Sequence, residues 1–400
     1  MILRPIEAGA DIEGPLPPGR RADLATIARE WTRIGVTGFG GPPAHIALLR
    51  RLVVHRYGWM DARAFEDANA ACSLLPGPGS TQLAIFCAYR AGSWRGAVVG
   101  GLGFVVPAVA MILALAVVFL AQAPPLWVRG AGAGAGAVVA AVAVRAGVDL
   151  IGPSFAGVRE DGREERRWFA FLAIGAVAAA TIGPYLVLVL LACGLLELAL
   201  RRWRPTSLGL CAWPAALALA ASSGGLGALA WTALKVGALS FGGGFVIIPL
   251  MQGDAVHVYH WMSDAEFLNA VALGQVTPGP VVATVAAVGY AAHGLAGGLL
   301  AAAVAFVPSF SFVLLGGGRF ERLRADLRAR AFLDGAGPAA IGAILGSAVP
   351  LTGALAETWQ LALLAAGAVS LLALRRGVVE TLLASGALGI ALALLGAPVP

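Results

Sequence analysis

Charge is the scarcest property of this sequence. Only 12% of the 400 residues are charged, about half the share found in soluble domains, and Lys235 is the only lysine. A P-loop requires Gly-Lys followed by Ser or Thr, whereas Lys235 is followed by Val236, so no P-loop ATPase is encoded. Arginines gather in short breaks between apolar segments, and the net charge of +6 therefore does not indicate nucleic-acid binding.

Paired cysteines and metal-ligand clusters are also absent from the sequence. No flavin, haem or dinucleotide motif is present, and the Gly-Ala alternation at 130–136 favours close helix packing instead. The sequence therefore predicts no metal, no cofactor and no enzyme activity. The cysteines occur singly in apolar surroundings, without a CxxC motif, and are predicted to be small buried side chains: Cys72, Cys87, Cys193 and Cys211.

Apolar sequence, in contrast, is abundant. Hydrophobic residues make up 59% of the chain, and the mean hydropathy is +0.82. The stretches 96–121, 185–200 and 359–374 carry almost no charge, and about 20 apolar residues can cross a bilayer. We predict an all-α polytopic membrane protein with about 10–13 segments in the lipid bilayer. Residues 1–23 lack the hydrophobic core of a signal peptide and are predicted to be an N-terminal tail.

One pattern interrupts the apolar segments twice. Two prolines that flank a glycine break a helix, and within a bilayer a broken backbone is tolerated only where it is buried in protein or lines a polar cavity. Each occurrence is therefore predicted to be buried in protein or to line a polar cavity. The occurrences are Pro76, Gly77 and Pro78, called the first Pro-Gly-Pro break below, and Pro278, Gly279 and Pro280, called the second.

The two breaks belong to a longer repeat. Trp59 and Phe65 recur as Trp261 and Phe267, 202 positions further along, which is also the separation of the two breaks. Agreement of this many uncommon residues in register indicates two fused units. We predict a first repeat over 24–204, a linker over 205–225 that forms an extra membrane crossing, and a second repeat over 226–400.

Equivalent connections in the two repeats differ in charge. The connections at 90–95, 159–167 and 201–204 are basic in the first repeat, whereas the basic connection of the second lies at 319–330. Basic loops favour the cytoplasmic side, so the repeats are predicted to be inverted in the membrane. The connection at 50–56 is also basic, and it lies on the cytoplasmic side if each of the first two segments is a re-entrant hairpin that enters and leaves the membrane on that side. Besides the Pro-Gly-Pro breaks, the predicted helix breaks are Gly40, Gly41, Pro42, Gly242 and Gly243.

Polar side chains near the breaks are candidates for anion binding. Arg33 and Lys235 occupy equivalent positions in apolar segments, where a cation costs about 2.5–3.5 kcal/mol and is tolerated best beside a wet cavity or an anion. Snorkelling of these cations to the interface is the alternative. A half-helix that begins at a break directs N–H groups and its positive dipole end at the cavity, although a plain proline kink is the alternative. The other candidates are His45, Ser80, Thr81, Gln82, Gln275 and Thr277.

The polar residues are distributed unequally between the two breaks. Ser80, Thr81 and Gln82 follow the first break, whereas the corresponding residues after the second are Val282, Ala283 and Thr284. We therefore expect the ligand beside the first break. For His45, which has no counterpart histidine in the second repeat, a structural hydrogen-bonding role is the alternative to a role in the site.

The segments 39–46 (FGGPPAHI), 74–84 (LLPGPGSTQLA) and 241–244 (FGGG) resemble the chromate ion transporter (CHR) family in its two-domain form. The resemblance covers 31–108 and 231–310. It implies a multi-pass protein of the bacterial inner membrane that exports chromate from the cytoplasm and lowers its toxicity, with sulfate as the natural competitor. Ser73 and Arg33 stand where the family commonly has glutamine and lysine.

We therefore predict a secondary transporter that exports chromate by alternating access, with the dianion held between the two breaks. A carrier of sulfate or another oxyanion is the alternative within this class. A membrane-embedded redox enzyme is the alternative from another class, and the absence of a redox motif speaks against it. A homodimer is compatible with the sequence, and no nucleic-acid partner is predicted.

Overall fold

A computed structural model of the protein describes residues 22–74, 77–121, 123–156, 158, 162–201, 225–240, 245–316 and 326–400. Within these residues the chain forms α-helices and short 3₁₀ and π-helical turns, and no β-strand. The predicted all-α class is confirmed. Pro76, Gly242, Gly243 and nearly all of the predicted tail (1–23) and linker (205–225) lie outside the described residues.

The first repeat contributes helices α1 to α8 within the described residues. They are α1 (Leu24–Thr37), α2 (Gly41–Arg50), α3 (Ala62–Leu74), α4 (Gly79–Phe119), α5 (Leu126–Ala137), α6 (Val139–Phe155), α7 (Gly162–Thr181) and α8 (Leu186–Leu200). The second repeat contributes α9 to α16. They are α9 (Gly225–Leu239), α10 (Ile247–Gln252), α11 (Asp264–Val276), α12 (Val285–Gly316), α13 (Leu327–Gly346), α14 (Ala348–Gly353), α15 (Thr358–Ala368) and α16 (Val378–Leu394).

Helices at equivalent positions begin with equivalent caps. The carboxylate of Asp61 accepts the backbone N–H of Ala64 at 2.8 Å at the start of α3. At the start of α11, the hydroxyl of Ser263 accepts the N–H of Glu266, whose carboxylate in turn accepts the N–H of Ser263. Both caps satisfy N–H groups that have no acceptor inside the helix.

The irregular backbone segments also occur at equivalent positions in the two repeats. A π-helical turn follows α2 at Arg51–Arg56, and another follows α10 at Gly253–Val258. Gly77 and Gly279, at the centres of the two Pro-Gly-Pro breaks, have φ of 117° and 98°, a region that favours glycine. The two-fold repetition predicted from sequence is therefore present in the backbone as well.

The longest helix of each repeat consists of two antiparallel legs. A straight helix of the 41 residues of α4 would be about 60 Å long, twice the thickness of the hydrocarbon core. Instead, Ser93 leaves helical geometry (φ 61°, ψ −159°), and a Cβ on Gly96 would lie 2.5 Å from the carbonyl oxygen of Ala88. Gly294 makes the same turn in α12 (φ 62°, ψ −155°). The predicted boundary at 90–95 coincides with this reversal.

Both predicted hairpins of the first repeat fold back. The ring of Trp31 on α1 stacks on that of Trp59, which follows α2, with centroids 6.1 Å apart. At the first Pro-Gly-Pro break, a Cβ on Gly79 would lie 3.5 Å from the carbonyl oxygen of Cys72. The chain therefore reverses direction at each break, as a re-entrant hairpin requires.

The repeats interlock through small residues. Helix α5 of the first repeat packs against α16 of the second, and α13 of the second packs against α7 and α8 of the first. A Cβ on Gly130 would lie 2.7 Å from that of Ala393, and one on Gly194 would lie 2.5 Å from the ring of Phe332. The Gly-Ala alternation thus permits close helix contact, as predicted.

By length and hydropathy, four helical stretches within the described residues could cross a membrane. The polytopic membrane class is confirmed, while the number of segments and the inverted orientation stay predictions. The stretches are Gly79–Phe119, Leu126–Phe155, Val281–Gly316 and Arg330–Gly353, and the shorter apolar helices are Leu186–Leu200, Gly225–Leu239, Thr358–Ala373 and Val378–Leu394.

Candidate functional site

The first Pro-Gly-Pro break places a helix start inside the protein. Pro78 is extended (φ −73°, ψ 101°), and α4 begins at the next residue. The amides of Thr81 and Gln82 both donate to the carbonyl of Pro78 at 3.0 Å, so the preceding amides of the first turn have no acceptor within the helix. Ser80, Thr81 and Gln82 are all buried. This arrangement combines N–H groups, a positive dipole end and neutral polar side chains, which suits an anion.

His45 joins this helix start to the end of α1. Its ring is fully buried, with Nε2 at 3.0 Å from the carbonyl oxygen of Gly38 and Nδ1 at 3.5 Å from the hydroxyl of Ser80. Since the carbonyl of Gly38 can only accept, Nε2 carries the hydrogen, and Nδ1 of the neutral ring is an acceptor for Ser80. The ring also packs edge-on against Phe104, with centroids 5.0 Å apart. The structure therefore brings His45 and Ser80 together.

The second Pro-Gly-Pro break reaches the same end of α1. The backbone N–H of Gly279 donates to the carbonyl of Gly38 at 3.1 Å. A Cβ on Gly279 would lie 2.6 Å from that of Ala108, so only glycine fits this approach. The hydroxyl of Thr277 donates to the carbonyl of Leu273 at 2.9 Å, inside its own helix. The second break therefore contributes backbone to the contact between the repeats.

The first break makes the corresponding contacts with the second repeat. A Cβ on Gly77 would lie 3.1 Å from the carbonyl oxygen of Gly237 and 3.6 Å from the hydroxyl of Ser309. The equivalents of these two residues, Gly35 and Ala108, are the ones that lie beside Gly279. Reciprocal contacts of this kind are those produced by a two-fold axis. Each break therefore contacts the other repeat, and a pseudo-two-fold axis relates the two sets of contacts.

The two predicted cations lie in different surroundings. Lys235 is largely buried on α9 and forms an ion pair with the buried carboxylate of Asp254, which also accepts the hydroxyl of Thr232 at 2.7 Å. Arg33 is exposed on α1 and makes no ion pair with a described residue. Leu52 stands in the first repeat where Asp254 stands in the second. The structure therefore leaves Arg33 at a surface and pairs Lys235 with a carboxylate.

Gln275 and the glycine break near α2 complete the predicted set. Gln275 is half-buried at the end of α11. Gly40 and Gly41 have φ of 102° and 70°, and Pro42 lies in the first turn of α2. The helix break predicted at these three residues is therefore present between α1 and α2.

Sequence reasoning missed the buried carboxylates. Glu30 on α1 accepts hydrogen bonds from Arg56 at 3.2 Å and from the hydroxyl of Tyr57 at 3.1 Å. Asp254 plays the corresponding part in the second repeat, with Lys235 as its partner. For Asp254 an available signal was the apolar stretch around it, where an ionised group requires a partner.

Three buried hydroxyls have no hydrogen-bond partner among the residues that the structure describes. They belong to Thr81, Ser240 and Ser309, and each of these residues is fully buried. Within the same residues, no group of three or more His, Cys, Asp or Glu side chains forms a metal site. The chemistry available at the break therefore consists of backbone N–H groups, hydroxyls, an amide and an imidazole.

Comparison with known proteins places this chain among transporters. A family model described as "Chromate transporter" matches residues 25–198 and 227–391. A chromate transport protein of Cupriavidus metallidurans is 33% identical over 91% of each chain, and one of Pseudomonas aeruginosa is 32% identical over 89% of each. A probable chromate transport protein of Synechococcus elongatus is 27% identical over 82% of this chain and 84% of its own. No solved structure matches this chain.

Proposed function

The chain belongs to the chromate transporter family, and we propose that it exports chromate from the cytoplasm as a secondary transporter of the bacterial inner membrane. The two family segments coincide with the two repeats, and relatives named for chromate transport align with 91% and 89% of the chain. Export of chromate would protect the cell from its toxicity. Membership of this family favours transport over an enzyme activity.

The helix start at the first Pro-Gly-Pro break is the observation that carries the proposal. Chromate is a tetrahedral dianion whose oxygens accept hydrogen bonds. The first turn of α4 offers N–H groups that have no acceptor within the helix, together with the buried side chains of Ser80, Thr81 and Gln82, and helix N-termini favour negative charge. His45 would position Ser80 through the contact between their side chains. The dianion is therefore proposed to bind beside this break.

The cations are proposed to act before and during binding. Arg33 is exposed and would raise the local concentration of anions near the end of α1. Lys235 is paired with Asp254, and the arriving dianion would compete with this carboxylate for Lys235. Gln275 and Thr277 would line the opposite side of the pathway at the second break.

The reciprocal contacts of the two breaks support alternating access. Each break lies against the first helix and the long helix of the other repeat. A rocking motion of one repeat against the other would therefore move both breaks together and expose the bound anion first on one side and then on the other.

Transport by inverted membrane vesicles tests this function. Vesicles that contain the protein are expected to accumulate chromate when a proton gradient or a membrane potential is imposed, whereas vesicles without the protein are not. Absence of chromate flux under each condition would refute the proposal. Uptake of sulfate by the same vesicles tests selectivity. Accumulation of sulfate without accumulation of chromate would identify a sulfate carrier instead.

A further inference from the structure

The surroundings of the two Pro-Gly-Pro breaks differ in their side chains, although their backbones match. Beside Gly77 the second repeat places the hydroxyl of Ser309, and beside Gly279 the first repeat places the methyl group of Ala108. The residue that follows α1 is Gly38, and its equivalent after α9 is Ser240. In both pairs of equivalent residues, therefore, the one with a hydroxyl belongs to the second repeat, which packs against the first break.

Ser240 directly follows α9, Ser309 lies in the second leg of α12, and these two helices run parallel. In the first repeat, Ile27 lies beside Gly96 and Gly35 lies beside Phe104, so α1 and the second leg of α4 run parallel. Helix α9 and the second leg of α12 are their equivalents.

In that second pair, Gly237 touches the backbone of Ala305. One helical turn further along both helices lie Ser240 and Ser309. Both side chains are therefore at the end of α9 that meets the first break.

The hydroxyls at this place lack partners among the residues that the structure describes. Thr81, Ser240 and Ser309 are fully buried, and none of their hydroxyls has a hydrogen-bond partner among the described residues. Buried hydroxyls without partners are uncommon because burial removes their hydrogen bonds to water. Thr81 lies in the first turn of α4, Ser309 in the second leg of α12 and Ser240 directly after α9. A ligand that accepts hydrogen bonds would satisfy these hydroxyls.

We propose that Ser240 and Ser309 of the second repeat, together with Thr81 of the first, form the hydroxyl wall of a single tetrahedral-oxyanion site at the first Pro-Gly-Pro break. This inference rests on the proposed transport function and assigns its ligand contacts to both repeats. The N–H groups come from the first repeat and two of the hydroxyls come from the second. A bound oxyanion thus bridges the repeats, and its binding favours the arrangement in which they are closed around it.

Alanine variants of the two serines test the assignment. The full-length protein and its Ser240→Ala, Ser309→Ala and double variants are titrated with chromate and, separately, with sulfate by calorimetry in detergent. Hydrogen bonds to a charged group are strong, so each substitution is expected to raise the Kd of the transported anion roughly tenfold or more. Since neither hydroxyl has a partner among the described residues, the Tm without ligand is expected to stay unchanged or rise.

Ser347→Ala is the matched control. Ser347 is also fully buried, but its hydroxyl donates to the carbonyl of Ile344 at 2.7 Å, away from the break. This variant is expected to lower the Tm without ligand and to leave the Kd unchanged.

The binding measurements test the site independently of the transport function. A double variant that binds both anions with the wild-type Kd overturns the assignment of the serines, whatever the flux measurements give. Loss of sulfate binding in the variants, with no chromate binding by the wild type, supports the site and refutes chromate as its ligand. A wild-type protein that binds neither anion refutes the site.

Discussion

The two repeats have kept one backbone and acquired different charges. Both contain a Pro-Gly-Pro break with a left-handed glycine, a π-helical turn and a tight reversal in the longest helix. The first helix of the first repeat carries the buried carboxylate of Glu30, which pairs with Arg56, whereas the π-helical turn of the second repeat carries the buried carboxylate of Asp254, which pairs with Lys235. The comparison teaches that the two repeats share their backbone breaks and turns but differ in the side chains around them. Duplicated sequence is therefore free to diverge in its side chains around a shared frame.

The largest expected effect concerns the orientation of the repeats. Trp94 and Leu295 occupy equivalent positions after the helix reversals and are 58% and 56% exposed. The test uses Trp94→Cys and Leu295→Cys in a cysteine-free background and a membrane-impermeant thiol reagent. One variant is expected to react in intact cells, and the other only after the cells are permeabilised. Each variant is labelled in permeabilised cells as its control. Labelling of both from the same side would show that the repeats are parallel and not inverted.

The next effect compares the two cations. Lys235→Met leaves the buried carboxylate of Asp254 without its partner, and we expect a loss of about 3–5 kcal/mol of stability. The exposed cation is the matched control: Arg33→Met is expected to change stability by less than about 0.5 kcal/mol. Thermal unfolding in detergent measures both.

A double variant separates stability from transport at this pair. Lys235→Met combined with Asp254→Leu gives the second repeat the leucine that the first carries at Leu52, and replacing both charges with apolar groups is expected to restore most of the stability. Chromate flux is expected to remain absent, since the cation is gone. Restored stability with normal flux would remove Lys235 from the pathway.

A smaller effect is expected at the contact between the repeats. Gly279→Ala places a methyl group at positive φ and 2.6 Å from the Cβ of Ala108, and we expect a loss of about 2–4 kcal/mol from backbone strain and overpacking. Gly152→Ala is the control, because no atom lies within 4 Å of its added Cβ and its φ is not positive. Equal Tm values for the two variants would contradict the close approach of the second break to α4.

The smallest effect compares a buried carboxylate with an exposed one. Glu30→Gln removes the charge that Arg56 and Tyr57 contact, and we expect a loss of about 1–2 kcal/mol. Glu66→Gln alters the exposed pair with Arg50, whose side chains are 53% and 46% exposed, and is expected to change stability by less than about 0.5 kcal/mol. Thermal unfolding of both variants tests whether burial makes this difference.

Some of the structure could be predicted because proline and glycine restrict the backbone locally. The breaks at Gly77 and Gly279 follow from their neighbours, since proline removes a donor and glycine permits positive φ. The reversal at Ser93 is different. Serine carries no preference for φ near 61°, and the boundary predicted there depended on the basic residues Arg90 and Arg95 instead.

The candidate site was predicted in part for a similar reason. Ser80, Thr81 and Gln82 adjoin the first break in sequence, so their place beside it follows from chain connectivity. Ser309 is far from this break in sequence and reaches it only because the second repeat packs against the first. No periodicity within α12 distinguishes a serine that faces the break from one that packs between helices.

By itself, the sequence determined the membrane class, the two-fold repetition and the positions of the helix breaks. Apolar composition, residue spacing and the torsional limits of proline and glycine are local properties, and they act before any tertiary contact forms. Only the tertiary structure decided that Lys235 pairs with Asp254, that Gly38 receives both His45 and Gly279, and that hydroxyls of both repeats surround one break. These contacts depend on how helices distant in sequence pack together, which residue type and spacing alone do not specify.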